Sequence, residues 1–208
     1  MRKITIIDGH PDADRAHVVH ALADRYAEMA IAQGHEVRRV NVAQLDFPLL
    51  RLPSEFEHGP APAGVLQAQQ DIKWADHLVL FFPLWHGMVP AYFKAFIEQT
   101  FRPGYAMAEN PKGFPKPLLA GKSARVVVTM GMPALIYQFY FGGHGVKALE
   151  RSILSFAGVR PIHTTLIGGV GEGAANAAKW FKRIDCLARR DGKRRRAEPL
   201  RRATVAST

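Results

Sequence analysis

The stretch from His77 to Phe101, HLVLFFPLWHGMVPAYFKAFIEQTF, decides how the chain folds. Leu78 to Phe82 is an unbroken apolar run without polar alternation, as a strand buried on both faces of a parallel sheet requires. Pro83 opens a turn, and beyond it Ala91, Phe93, Phe96 and Ile97 recur at the spacing of a helix with one face toward a core. Between strand and helix stand Pro83, Leu84, Trp85, His86, Gly87 and Met88, an aromatic and flat-sided set. Open α/β sheets keep their ligand crevice at the carboxyl ends of the strands, which is where this set falls. A planar ring would fit there.

Working outward, Ile4 to Ile7 is a short apolar strand that runs into Gly9, His10, Pro11 and Asp12 and then into a helical pattern of Val18, Leu22, Tyr26 and Met29. Gly34 stops that helix, and Glu36 to Val42 alternates charged and apolar residues like a strand nearer the sheet edge. Ala43 to Gly64 is a Pro-rich excursion with no evident structure, expected to serve function or an interface. Val65 to Trp74 reads as a helix, and Arg102 to Gly121 as a second excursion broken by Pro and Gly. Lys122 to Thr129 supplies a fourth strand, Met130 to Gly145 a Gly- and aromatic-rich loop, Val146 to Phe156 a helix and Ile162 to Ile167 a fifth strand. Ala174 to Arg190 closes the series as a helix. Strands alternating with helices, right-handed crossovers and short connections predict an α/β fold: a flavodoxin-like, doubly wound, five-stranded parallel sheet of order 2-1-3-4-5 with helices on both faces. Residues 1–190 make one domain on this reading, and 191–208 a basic tail without structure.

With 208 residues, 48% hydrophobic, the chain can bury the core of one such domain. The single cysteine, Cys186, excludes an intrachain disulfide and lacks the neighbours of a zinc site, so a reducing cytoplasm is the expected compartment. The longest apolar runs are strand-sized, too short to span a membrane. The formal charge is +10, but Lys179 to Thr208 holds eleven Lys and Arg against Asp185, Asp191 and Glu198, a local charge of +8. The remainder is near neutral, so no nucleic-acid partner is expected. His20, His35, His58, His77 and His163 read as surface or core histidines, none with metal-ligand spacing, and Met29 and Met88 as packing.

Three loops carry the candidate chemistry. The first, GHPDADRAH, presents backbone N–H groups at a helix N-terminus, which favours an anion. Asp12 or Asp14 is most simply the helix cap, whereas His10 and Arg15 are suited to phosphate. The third-strand loop offers Trp85 and His86. Thr129, Met130, Gly131 and Met132 leave the fourth strand on the same edge, followed by the aromatics, glycines and histidine of Tyr137 to His144. Together they make a polar pocket, an aromatic wall and a Gly-bearing wall, as a phosphate-tailed planar cofactor requires.

GHPD near the amino terminus, FPLWHGMVPAYFKAFIEQTF after strand three and TMGMPALIYQFYFGGHG after strand four together resemble the flavodoxin-fold NAD(P)H:quinone oxidoreductases, over about Ile4 to Ile167. That group includes DT-diaphorase, modulator of drug activity B and the ancillary reductases of glutathione-gated potassium efflux systems. The resemblance implies that His10 and Arg15, Ala16, His17 and Val18 contact flavin phosphate. It implies that Pro83, Leu84, Trp85, His86 and Gly87 line the isoalloxazine, with Thr129, Met130, Gly131 and Met132 along its other edge. Tyr137 and His144 take the catalytic places beside the flavin N1/O2 side, where charge builds on reduction. No metal is implied. The implied activity moves two electrons from NAD(P)H through FAD or FMN to quinones or similar acceptors, with FAD favoured if Ala43 to Gly64 covers an adenosine. A homodimer is implied, with Arg102 to Pro117 completing the partner's site. The alternative is a flavin-bearing regulatory subunit docked on a potassium-efflux membrane transporter. The phosphate loop departs from the family's Ser or Thr followed by Asn, offering Asp14, Arg15, Ala16 and His17 instead.

Overall fold

The computed structural model describes residues 1–110, 113–171 and 174–193. Its elements are β1 (Lys3–Asp8), α1 (Val18–Ala32), β2 (Glu36–Asn41), α2 (Pro53–His58), α3 (Ala63–Trp74), β3 (His77–Pro83), α4 (Ala91–Thr100), β4 (Met107–Ala108), β5 (Lys116–Pro117), β6 (Ser123–Thr129), α5 (His144–Ala148), β7 (Ile162–Ile167) and α6 (Ala174–Lys193). The main sheet is parallel throughout, in the order β2-β1-β3-β6-β7. This is the expected 2-1-3-4-5 order, since β4 and β5 form a separate antiparallel hairpin inside the Arg102 to Gly121 excursion.

The central strand behaves as its composition demands. Leu78, Leu80 and Phe82 face one core layer, with Phe93, Phe96 and Ile97 of α4, while Val79 and Phe81 face the other, with Val19, Leu22 and Tyr26 of α1. All five are at most 1% exposed, and burying each is worth about 1.5–3 kcal/mol. In α1 the buried positions Val19, Leu22, Ala23, Tyr26, Ala27 and Ala30 form one stripe. The helix ends where Gly34, at φ 75°, lets its N–H reach Ile31 O at 2.8 Å and that of His35 reach Ala30 O at 3.1 Å, a Schellman closure.

Several boundaries differ from the sequence reading. Neither Asp12 nor Asp14 caps α1: His17 flanks it, while Asp12 Oδ1 accepts Asp14 N–H at 2.9 Å and Asp14 Oδ1 accepts Ala16 N–H at 3.0 Å. Short Asp side chains close turns on the N–H two residues ahead, and here those turns use up the oxygens a cap would need. Ala43 to Gly64 contains the short helix α2, and its Phe47 stacks on Tyr92 with ring centroids 4.7 Å apart. Beyond β6, Gly142 and Gly143 turn at φ 66° and 63°, α5 starts two residues before Val146, and wider turns continue it over Leu149–Ser155. Among the described residues no helix is long and apolar enough to cross a membrane.

The largest correction concerns Asp191, assigned to the tail by its basic surroundings. It lies in the last turn of α6 with 0% exposure. Its carboxylate takes a two-pronged contact from Arg125, 3% exposed, and accepts the Tyr26 hydroxyl at 3.1 Å. Arg2, bonded to Asp191 O at 2.5 Å and to Ser123 Oγ at 2.9 Å, closes the group. A lone aspartate among arginines gives no sequence sign of a buried partner on a strand 66 residues away. The closing helix therefore runs through Asp191, and residues 194–208 of the expected tail lie outside the described residues.

Burial opposes the charge on Asp191, but Arg125 and His77 outweigh it and hold the carboxyl far below its usual range. Asp191→Ala should cost about 3–5 kcal/mol in urea unfolding, because it strands the Arg125 charge in the interior. His77, 1% exposed with Nε2 3.6 Å from Asp191 Oδ2, has its pKa lowered chiefly by its burial. The unfolded chain therefore takes up this proton first as pH falls. The corresponding stability is complete above about pH 6.5 and is lost as pH drops below it. Urea midpoints between pH 8 and pH 5 should fall on acidification, with a shallower slope for His77→Gln.

Candidate functional site

The carboxyl ends of β1, β3 and β6 deliver their loops to one edge, and backbone hydrogen bonds fasten each loop to its neighbour. Gly9 N–H reaches Phe81 O at 2.7 Å, Leu84 N–H reaches Thr129 O at 2.7 Å and Met130 N–H reaches Ile167 O at 2.9 Å. Gly9 is also a close approach: a Cβ there would lie 2.6 Å from the Phe93 ring, so α4 sits directly against the first loop.

After β3, Trp85 and Met88 exchange backbone hydrogen bonds at 3.0 and 2.9 Å around His86 and Gly87. Both central residues have positive φ, 47° and 78°, as a type I′ turn requires. This tight turn lifts Trp85 and His86 to the surface. Trp85 is 49% exposed and stands edge-on to His10 with ring centroids 6.3 Å apart, so the first and third loops meet. Pro83 ends β3, and Leu84 packs partly against the core.

The loop after β6 is braced by Tyr137, 1% exposed. Its hydroxyl donates to Gly87 O at 3.0 Å and accepts Val146 N–H at 3.2 Å. Burial raises the phenol's pKa, against the pull of the Val146 and Gly145 backbone N–H groups. A Cβ on Gly145 would collide with Gly87 O and come within 2.9 Å of Met88 Cα, so the two loops are in contact at this glycine. Thr129 is buried, and Met130 puts its side chain into the core while its carbonyl accepts Val170 N–H at 3.1 Å. Gly131 and Met132 are exposed, and a Cβ on Gly131 would meet open space. His144 is exposed at the start of α5, its Nε2 2.5 Å from where a Gly142 Cβ would stand.

The first loop is the most densely charged. His10 is 5% exposed, with Nδ1 3.1 Å from both the backbone N and O of Asp12. It stacks on His17 at 4.0 Å between centroids, and His17 Nε2 lies 3.0 Å from Asp12 Oδ2. That contact, before the Asp14 N–H, holds the exposed Asp12 carboxyl below its usual range. Arg15, expected on phosphate, pairs instead with Asp24, which Arg39 also binds. Burial opposes charge on Asp24, yet these guanidiniums keep its pKa low. Ala16 N–H is taken by Asp14, and Val18 begins α1.

Two residues of this group escaped the sequence reading. Asp8, last in β1 and 1% exposed, accepts His10 N–H at 3.3 Å on Oδ1, and its Oδ2 lies 2.6 Å from His20 Nδ1. His20 is 4% exposed and 5.1 Å from His10 between ring centroids. The spacing of His17 and His20 puts both on one face of α1, a signal that the count of histidines alone does not give. Among the described residues no set of His, Cys, Asp and Glu has the geometry of a metal site.

Known proteins resemble the chain in sequence and in fold. An FMN-dependent NADH:quinone oxidoreductase of Nostoc punctiforme is 28% identical over 196 residues, which cover 84% of this chain and 91% of that protein. A ribosyldihydronicotinamide dehydrogenase-like protein of Penicillium crustosum is 26% identical over 156 residues, and the match spans 62% of this chain and 57% of that one. Among solved structures, an NAD(P)H:quinone oxidoreductase from Methanothermobacter marburgensis superposes with a TM-score of 0.75 at 17% identity, covering 93% of this chain and 98% of the other. An FMN-dependent NADH-azoreductase from Bacillus anthracis, solved with FMN, gives 0.72 at 16%, covering 92% and 100%. The family model described as flavodoxin-like fold matches residues 2–185, nearly the whole described chain, and the protein belongs to that family.

Proposed function

We propose that the protein is a flavin-dependent NAD(P)H oxidoreductase that passes two electrons to quinones or similar acceptors, with FMN as its flavin. The observation that carries this reading is the junction of three loops at the carboxyl edge: His10 against Trp85, and Tyr137 bonded to Gly87. The donor set suits a flavin. An imidazole-lined loop at a helix N-terminus offers a phosphate seat, exposed Trp85 and the His86–Gly87 turn offer a flat wall, and Gly131 leaves room opposite. Bound there, the flavin supplies the hydride chemistry.

The chain's own residues position it. Pro83 to Gly87 would hold the ring's plane and Thr129 to Met132 its other edge. Tyr137 acts chiefly as a brace, since its proton is committed to Gly87 O. His144, exposed at the mouth, remains free to donate a hydrogen bond to charge on the reduced ring. FMN replaces the FAD favoured from sequence for two reasons. Relatives are named for FMN, and the excursion expected to cover an adenosine is spent on α4 and the residues after it. Gln99 binds Pro48 O at 2.7 Å and Arg102 binds Gly59 O at 2.6 Å.

The same reading includes a homodimer. An apolar cavity of about 530 Å³, lined by Leu50, Leu52, Phe56, Ile97, Phe101 and Met107 among others, opens beside the β4–β5 hairpin, where Phe114 is 87% exposed. A second copy would cover this apolar surface.

Purified protein should be yellow or become so with FMN, and should oxidise NADH or NADPH in the presence of a benzoquinone. Protein that binds no flavin and turns over no nicotinamide contradicts the reading. Tyr137→Phe should lower stability by about 1–3 kcal/mol in urea unfolding, because it leaves the buried Val146 N–H without its partner and removes the donor to half-buried Gly87 O. Unchanged stability with lost turnover would instead make the phenol a chemical participant.

A further inference from the structure

The β1–α1 loop has a charge problem that its fold leaves unsolved. Arg15 and Arg39 are the guanidiniums at hand; both bind Asp24, and Arg39 also comes within 4.0 Å of Asp8 Oδ2, so two cations meet four carboxylates. Asp8, Asp12 and Asp14 add three more carboxylates in and beneath the loop. With neutral imidazoles this seat repels a phosphate dianion, although the backbone of a helix N-terminus invites one.

The histidines resolve the conflict. We propose that His10, His17 and His20 form a proton-loaded anion seat: they hold the flavin phosphate as charged imidazoles, so cofactor binding takes up protons and weakens as pH rises. This rests on the flavin reading above and concerns only the phosphate end. The three ring centroids lie 4.0, 5.1 and 6.0 Å apart, close enough for charge on one ring to act on the others and on an anion at the loop. His20 has an oxygen against each ring nitrogen: Asp8 Oδ2 at 2.6 Å from Nδ1 and Asp12 O at 2.9 Å from Nε2. Neither a carboxylate nor a carbonyl donates, so both contacts are satisfied only when both nitrogens carry hydrogen. His20 is thus a positioning residue that offsets Asp8 beneath the loop. His17, its side chain 39% exposed, sets Nε2 3.0 Å from Asp12 Oδ2.

His10 lies between them. In the tautomer whose Nδ1 accepts the Asp12 N–H, its Nε2 carries the hydrogen available to a ligand. Burial, and then the charges of His17 and His20, lower its pKa, against the pull of the Asp12 carbonyl and Asp8. An arriving dianion reverses that balance and draws a proton onto the cluster. The other ionisable groups around it are Asp24 of α1, Arg39 of β2, 4.0 Å from Asp8 Oδ2, Asp14 and Arg15 of the loop, and exposed His86 of the third-strand turn.

The test compares dissociation constants of FMN and riboflavin for the apoprotein, read by flavin fluorescence between pH 6.5 and 8.5. A phosphate monoester, with its second pKa of about 6, stays largely dianionic throughout this window. FMN binding should weaken by about tenfold or more across it, as uptake of up to one proton per ligand allows, with riboflavin binding changed less than twofold. His17→Asn and His20→Asn should flatten the FMN dependence and shrink the preference for FMN over riboflavin at pH 6.5. If His20→Asn fails to fold, the surface variant His17→Asn decides. FMN affinity that does not vary with pH, or riboflavin affinity that varies equally, overturns the proton-loaded seat and leaves the flavin reading standing. Failure to bind either flavin at any pH overturns both.

Discussion

The parallel ladder through β3 is the constraint on which the molecule depends. Its register, Ile4 with His77 and His77 with Ser123, points every strand the same way, so every crossover leaves from one edge. The ladder also outlasts the strands: Gly9, Leu84 and Met130 each donate to the end of a neighbouring strand. Three loops of unrelated sequence therefore inherit the spacing of the sheet. Side chains choose what the crevice recognises, but the backbone has already decided that there is one.

The two ends of the sheet divide the work. At the amino edge, Arg2, Tyr26, His77, Ser123, Arg125 and Asp191 form a buried polar group fastening the last turn of α6 beneath the strands. Such a network is costly when broken and gives a single arrangement when complete. At the carboxyl edge the groups belong to loops. His86 is held in a left-handed conformation, Trp85 is half exposed, and imidazoles crowd against carboxylates.

Much of this was legible in the residues. The unbroken run Leu78 to Phe82 announced a strand covered on both sides, and alternation with helices left little choice of strand order. Trp85, His86 and Gly87 follow β3 directly, and the end of that strand fixes where the next few residues stand. What sequence could not show were pairings across long separations. Arg15 reads as a phosphate ligand until Asp24 is seen beside it, and Asp191 reads as tail until Arg125 is found against it. His20 looked ordinary since its meaning comes from Asp8, twelve residues earlier on a different element. For Tyr137, only the fold reveals that its hydroxyl is already engaged.

The central claim, that three crossover bends act as one receptor, is tested most directly by amide hydrogen exchange with and without FMN. The account predicts slowed exchange at Gly9 to Val19, Trp85 to Met88 and Met130 to Gly145 together, at a single ligand concentration dependence. Protection confined to one of these segments, or shifted to the apolar cavity around Leu50 to Phe56, would contradict it.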